Sequence, residues 1–274
     1  MKKFYFMAGL PRSGSTLLSN ILNQNKSVYS STNSPLLHIN IALINETLRS
    51  EQYRAFPKPE CLINILSELP HNFYRHYTQD IIIDKSRSWP AYVDDIIERY
   101  ITTDIKIICP VRRILDILSS FMSAIQRSDQ VSYIDHRLSK MGLEINNTNR
   151  CDFLMSRIGT VGEPYGALRR CILKGYRKNL LFVDYDDLIG SPQFTMNSIY
   201  KFLELPSYSH DFSNIVQHEV ENDAVYGITN MHAVKSKLVP NHRNYLDNLD
   251  KSIIEKYKNM EFWKEKLRTS IFGL

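Results

Sequence analysis

The amino-acid sequence predicts an α/β fold of three layers, with a mostly parallel central sheet and helices on both of its faces. Three observations carry this expectation. Short apolar runs recur four times, each followed by a segment of helical periodicity. The first run ends at once in a glycine-framed loop. No repeat, low-complexity tract or Pro/Gly linker divides the chain, so residues 1–274 are expected to form one domain.

The first unit begins with residues 4–8, a continuous apolar run ending in Gly9, as expected of a strand buried on both faces. Leu17, Leu18, Ile21 and Leu22 then recur at helical spacing, and Ser13 and Ser15 stand where N-terminal caps belong. The second unit pairs a strand at 81–83 with a helix near 91–100, the third a strand at 105–109 with a helix at 114–125, and the fourth a strand at 180–183 with a helix at 194–203. Between the units, residues 36–48 and 61–69 read as helices, whereas the polar stretch 127–150 reads as a loop or lid. In sheets of this kind ligands gather at the carboxyl ends of the strands, where Gly9, Asp84, Pro110 and Asp184 fall.

Composition narrows the function classes. A formal charge of +5 and a pI near 8.9 favour anionic partners, yet the charge is spread along the chain rather than packed into a nucleic-acid-binding tract. A small anionic ligand fits better, and no nucleic-acid partner is expected. Cys61, Cys109, Cys151 and Cys171 form no C-x-x-C pair, so neither a zinc ribbon nor a redox motif is indicated. The eight histidines form no H-E-x-x-H or similar metal cluster; His71 and His76 are expected to pack or to line a cleft. The apolar run before Gly9 is too short for a signal peptide and no later run is long enough for a membrane helix, so a cytoplasmic protein without a membrane span is expected.

The segment Gly9-Leu10-Pro11-Arg12-Ser13-Gly14-Ser15-Thr16 keeps the G-x-x-x-x-G frame of a phosphate-binding loop between strand and helix, which gives the fold a P-loop-like nucleotide-binding topology. Backbone N–H groups and the helix dipole can hold an anion there. The lysine that a kinase or NTPase needs after the second glycine is replaced by Ser15, and a cation stands earlier, at Arg12. A second anion site is expected where the third strand ends: Arg112 leaves the sheet there, and Ser120 follows by just over two helical turns, so guanidinium and hydroxyl can meet on one phosphate. Arg113 is the alternative ligand.

Together these segments resemble the sulfotransferases that use 3'-phosphoadenosine-5'-phosphosulfate (PAPS) and release adenosine 3',5'-bisphosphate. The first loop resembles their 5'-phosphosulfate loop, in which a Lys or Arg precedes Ser-Gly-Ser/Thr-Thr. By that resemblance Arg12 stabilises the departing phosphate, with Ser13, Gly14, Ser15 and Thr16 as cofactor-binding partners. Arg112 and Ser120 match the spacing of the family's 3'-phosphate site, although only Asp116 remains of the usual Asn-Pro-Arg-Asp that follows the arginine. Asp84-Lys85-Ser86-Arg87 resembles the segment after the second core strand, so Lys85 would face the sulfuryl group. Arg87 replaces the histidine base of the cytosolic members, and a guanidinium does not accept a proton near neutral pH.

The loop Ser30-Ser31-Thr32-Asn33-Ser34 lacks the carboxylate that Golgi members place there, which leaves His38, Glu46 and Asp84 as candidate bases. Tyr185, beside the Tyr-Glu-Asp-Leu-like stretch, would lie near the adenosine, and Lys235 and Lys237 resemble a basic segment, here 220–245, that closes over the nucleotide. The reaction implied is metal-independent in-line transfer to a hydroxyl or amine acceptor, with a sugar, protein tyrosine, lipid or small molecule all open as acceptor class. The alternatives are a P-loop-type kinase or NTPase and a non-catalytic sensor of adenosine phosphates.

Overall fold

In the computed structural model, which describes residues 2–228, 230–238 and 247–264, five strands build one parallel sheet. They are β1 (Lys3–Met7), β2 (Val28–Ser30), β3 (Ile81–Lys85), β4 (Ile107–Val111) and β5 (Leu180–Asp184), in the spatial order β2-β3-β1-β4-β5. From β1 the chain goes to the edge strand β2, returns to insert β3 between the two, then crosses over to place β4 and β5 on the other side. The reversal opens a crevice beyond the end of β1, the usual ligand position in such sheets. Register brings the strand ends level, with Met7 opposite Lys85 and Val111 opposite Asp184.

The helices are α1 (Ser15–Leu22), α2 (Leu36–Arg49), α3 (Glu51–Ala55), α4 (Pro59–Phe73), α5 (Ile114–Gln126), α6 (Tyr133–Lys140), α7 (Asn147–Met155), α8 (Gly162–Leu173), α9 (Tyr185–Gly190), α10 (Pro192–Leu203) and α11 (Lys251–Tyr257). Alternation along the strands sorts the core into two halves. Phe4, Phe6, Ile82, Ile107 and Cys109 face one side and pack with α5, α7 and α8, whereas Tyr5, Met7, Ile83, Ile108 and Val183 face α1 and α10. Two packed faces make three layers, as the apolar runs predict.

Among the described residues no helix is long and apolar enough to cross a membrane. The single-domain expectation over 1–274 and the closing segment over 220–245 both extend in part outside the described residues.

Three expectations change. The helix expected near 91–100 is a π-helix over Val93–Ile101, its wide turns closed by bonds such as Ile97 N to Tyr92 O (3.2 Å) and Thr102 N to Ile97 O (2.9 Å). Residues 127–150 are not a plain loop. Ser132 and Asn146 cap α6 and α7 through side-chain bonds to Asp135 N (3.1 Å) and Asn149 N (2.9 Å), and both helices bury apolar side chains. Ser13 and Ser15 do not cap α1; Gly14 holds the N-cap position in the left-handed region (φ 84°), and no side chain bonds the helix start. That start is left to other acceptors.

Candidate active site

The loop after β1 is fixed by contact with the end of β4. Leu10 N bonds the Pro110 carbonyl at 2.9 Å, and the buried Ser13 hydroxyl bonds the carbonyls of Leu10 (2.5 Å) and Pro110 (2.9 Å). A Cβ at Gly9 would lie 2.0 Å from the Pro110 oxygen, so only glycine allows this approach. Ser13 therefore serves the loop's shape with its side chain. Arg12 takes a left-handed backbone (φ 60°), a conformation that costs roughly 1–2 kcal/mol outside glycine. Its guanidinium donates to Ser120 Oγ at 3.2 Å and to the Met231 carbonyl. One cation thus links the phosphate loop, α5 and the turn at 230–233.

Arg12, Gly14, Ser15, Thr16, Lys85, Arg112, Ser120, Tyr185, Lys235 and Lys237 all line one cavity of about 290 Å³ at the carboxyl ends of β1, β3 and β4. Arg112 is buried and lies over the Tyr185 ring at 4.3 Å, a cation–π contact. Tyr185 in turn leaves no room for a side chain at Gly14, whose Cβ would meet the ring at 2.8 Å. Phosphate loop, aromatic ring and second arginine form one packed stack. Arg113 points elsewhere, its Nε and Nη2 each bonding Asp116 at 2.9 Å on the outer side of α5. Arg112, not Arg113, faces the cavity.

Lys85 is nearly enclosed, with Nζ bonded to Thr16 Oγ1 (3.3 Å) and to the Thr32 carbonyl. Burial pulls its pKa down to about 8, against an opposing pull from Glu221. The lysine is still mostly charged at neutral pH.

Of the candidate bases, Asp84 is excluded by its surroundings. Fully buried, it accepts bonds from Ser34 Oγ (2.5 Å), Tyr74 Oη (2.5 Å) and Trp89 Nε1 (2.7 Å), and burial raises its pKa despite all three donors. It anchors the loop after β2 to the sheet. Glu46 sits on the solvent face of α2 beside Arg49, outside the cavity. His38 lines a neighbouring cavity of about 570 Å³ together with Arg87, Thr160, Glu163 and Tyr226, which shares Asn33, Ser86 and Arg87 with the first. Burial raises the pKa of Glu163 there. A volume of that size suits a small molecule. His71 packs edge-on against Phe4 at 5.0 Å.

The sequence marks the 220–245 segment, His232 included, by resemblance alone, and the fold shows which of its described polar residues reach the cavity wall. Glu219 accepts from Tyr29 Oη (2.5 Å) and Thr32 Oγ1 (3.0 Å), tying its segment to the sheet. Glu221 and His232 line the cavity. His232 Nδ1 lies 2.6 Å from Asp223 Oδ1 and 3.3 Å from Glu221 Oε2, and its backbone N bonds Asp223 Oδ2 at 3.0 Å. Arg127, at the exposed end of α5, also lines the cavity. The potential metal-ligating atoms of Glu221, Asp223 and His232 lie within 4.8 Å of one another, but hydrogen bonding within the group accounts for their closeness.

Comparison with known proteins adds the following. A family model described as "Sulfotransferase domain" matches residues 3–260. The fold resembles the sulfotransferase domain from the curacin biosynthetic pathway at 17% identity, covering 98% of this chain and 94% of that one, with a TM-score of 0.52. It also resembles mouse sulfotransferase SULT7A1 complexed with PAP, at 12% identity over 98% and 85% of the two chains and a TM-score of 0.54. A sulfotransferase from Alicyclobacillus acidocaldarius aligns at 16% identity over 81% and 87%, with a TM-score of 0.50. No curated protein sequence matches the chain.

Proposed function

The chain belongs to the sulfotransferase domain family, and on that premise we propose that it moves a sulfuryl group from PAPS to a hydroxyl or amine acceptor by in-line transfer without a metal. The observation that carries this reading is the opening of the phosphate loop and the Arg112–Ser120 pair into one cavity, bridged by the Arg12 guanidinium. Two cationic groups opening into one cavity suit the two anionic ends of one adenosine nucleotide. The uncapped start of α1 takes the 5' end, Arg112 and Ser120 take the 3'-phosphate, and Tyr185 lies along the nucleoside. The PAP complex of the mouse relative supports this choice of nucleotide.

Transfer needs positive charge where the leaving phosphate develops its own, and Arg12 with Lys85 supplies it from fixed positions. The sulfuryl group is less charged than a phosphoryl group, so these two cations suffice without a magnesium ion. A kinase reading lacks its lysine, because Ser15 follows Gly14. The acceptor enters through the neighbouring cavity lined by His38, Glu163 and Tyr226.

Thermal-shift titration with adenosine 3',5'-bisphosphate against ATP and ADP tests the nucleotide, since selective stabilisation by the first requires a 3'-phosphate pocket. Turnover of labelled PAPS that survives chelation and is lost in Arg12→Ala tests the chemistry. Wild-type turnover by Arg12→Ala would refute the assignment, and nucleotide binding without transfer to a broad acceptor panel would favour the sensor reading.

A further inference from the structure

We infer that His232, held by Asp223, is the general base that takes the proton from the acceptor during transfer; the inference rests on the sulfotransferase reading above. The geometry contains the parts such a base requires. A base must reach the reacting proton and be held in one orientation by a third group. His232 Nδ1 is 2.6 Å from Asp223 Oδ1, and the same carboxylate accepts the His232 backbone N–H at 3.0 Å, so ring and backbone are both gripped by one side chain. Donation from Nδ1 to Asp223 leaves Nε2 with its lone pair.

Position points the same way. His232 lines the cavity that holds Lys85, Thr16 and Arg12, and its ring lies edge-on to Tyr226 at 6.0 Å, which lines the acceptor cavity. The imidazole lines the first cavity, and its neighbour Tyr226 lines the second. The Met231 carbonyl next to it accepts from Arg12, so the turn that carries the base is fastened to the cation that faces the leaving group. The groups around the ring are Asp223 and Glu221 on its own segment, Tyr226, and Lys85 from β3. Burial lowers the His232 pKa, against the pull of Asp223 and Glu221, which keeps the ring neutral and able to accept.

The step balances simply. The acceptor oxygen gives its proton to Nε2 and forms the new O–S bond, while the bond from sulfur to the bridging oxygen breaks. Its electron pair leaves on the 5'-phosphate of the nucleotide, next to Arg12. His232 then returns the proton to solvent.

The test compares two acceptor probes with PAPS as donor: benzyl alcohol, whose proton must be removed, and 4-nitrophenolate, which has none to give. His232→Gln is expected to slow transfer to benzyl alcohol by about 10²- to 10⁴-fold and to leave transfer to the phenolate unchanged. Added imidazole should restore part of the lost rate in His232→Ala. An unchanged thermal shift with adenosine 3',5'-bisphosphate will show that both variants are folded and loaded. Equal losses with both probes, or no loss with either, overturn the inference while leaving the family reading intact. Turnover abolished by chelation and restored by zinc would also overturn it, since the ring would then serve a metal. A wild-type protein that shows no shift with adenosine 3',5'-bisphosphate refutes the parent reading instead.

Discussion

Raising the pH from 7 to 9 should switch off transfer through Lys85 before it harms the fold. The lysine sits against Thr16 and the Thr32 carbonyl with almost no access to water, and burial lowers its pKa to about 8. Its charged fraction then falls from roughly nine-tenths at pH 7 to roughly one-tenth at pH 9, so kcat/KM should drop about tenfold along a single alkaline limb. Stability moves the other way. The folded chain holds this proton less tightly than the unfolded chain does, so the charged lysine costs about 3 kcal/mol at pH values below 8, and this penalty disappears as pH rises from 8 to 10.5.

Activity and the thermal midpoint should therefore part company in that window as far as Lys85 governs them. The assay is initial rate against pH with PAPS below saturation, paired with thermal unfolding at each pH. Bound phosphosulfate should raise the lysine's pKa, so the limb in kcat should lie higher than the limb in kcat/KM. A flat profile to pH 10, or the same limb in Lys85→Arg, would refute the reasoning.

Three other perturbations probe the framework. Asp84→Ala should cost about 3–5 kcal/mol of unfolding free energy, because the hydroxyls of Ser34 and Tyr74 and the Trp89 N–H lose their buried acceptor; urea denaturation measures it. Gly14→Ala sets a methyl against the Tyr185 ring at a φ of 84°, and should abolish the thermal shift with adenosine 3',5'-bisphosphate while lowering the unliganded midpoint by only a few degrees. Arg112→Met keeps the volume over Tyr185 but removes the charge. It should weaken adenosine 3',5'-bisphosphate by about 10- to 100-fold and leave AMP affinity little changed, as calorimetry with the two nucleotides will report.

Much of this molecule is legible in its sequence, for physical reasons that also mark where legibility ends. β1, β3 and β4 are buried on both faces and read as apolar runs, and β5, half-buried at the sheet edge, still opens with the apolar run 180–183. β2 has three residues at the sheet edge, too few to show any period, and it passed unnoticed between polar neighbours. Residues 133–140 and 147–155 bury only Ile134, Asp135, Leu138, Cys151 and Leu154, a signal too dilute to tell helix from loop. Arg12, Lys85 and Arg112 are legible because each lies at or shortly beyond the carboxyl end of a strand, and that position directs it to the crevice.

His232 and its partner Asp223 lie in a stretch without periodicity, and only the folded path of that stretch across the phosphate loop brings His232 to the wall. Asp84 misled for the opposite reason. Its place at a strand end suggested chemistry, yet alternation turns it away from Lys85 and into the packed layer under Trp89.

The close seat of Gly9 on the Pro110 carbonyl has a consequence for how such a protein can change over time. It clamps the loop after β1 to the end of β4 at one spacing, held by main chain and the Ser13 hydroxyl. On the proposed reading, a change of acceptor has to come from the opposite wall, where Glu163 and Pro164 of α8 lie outside that clamp.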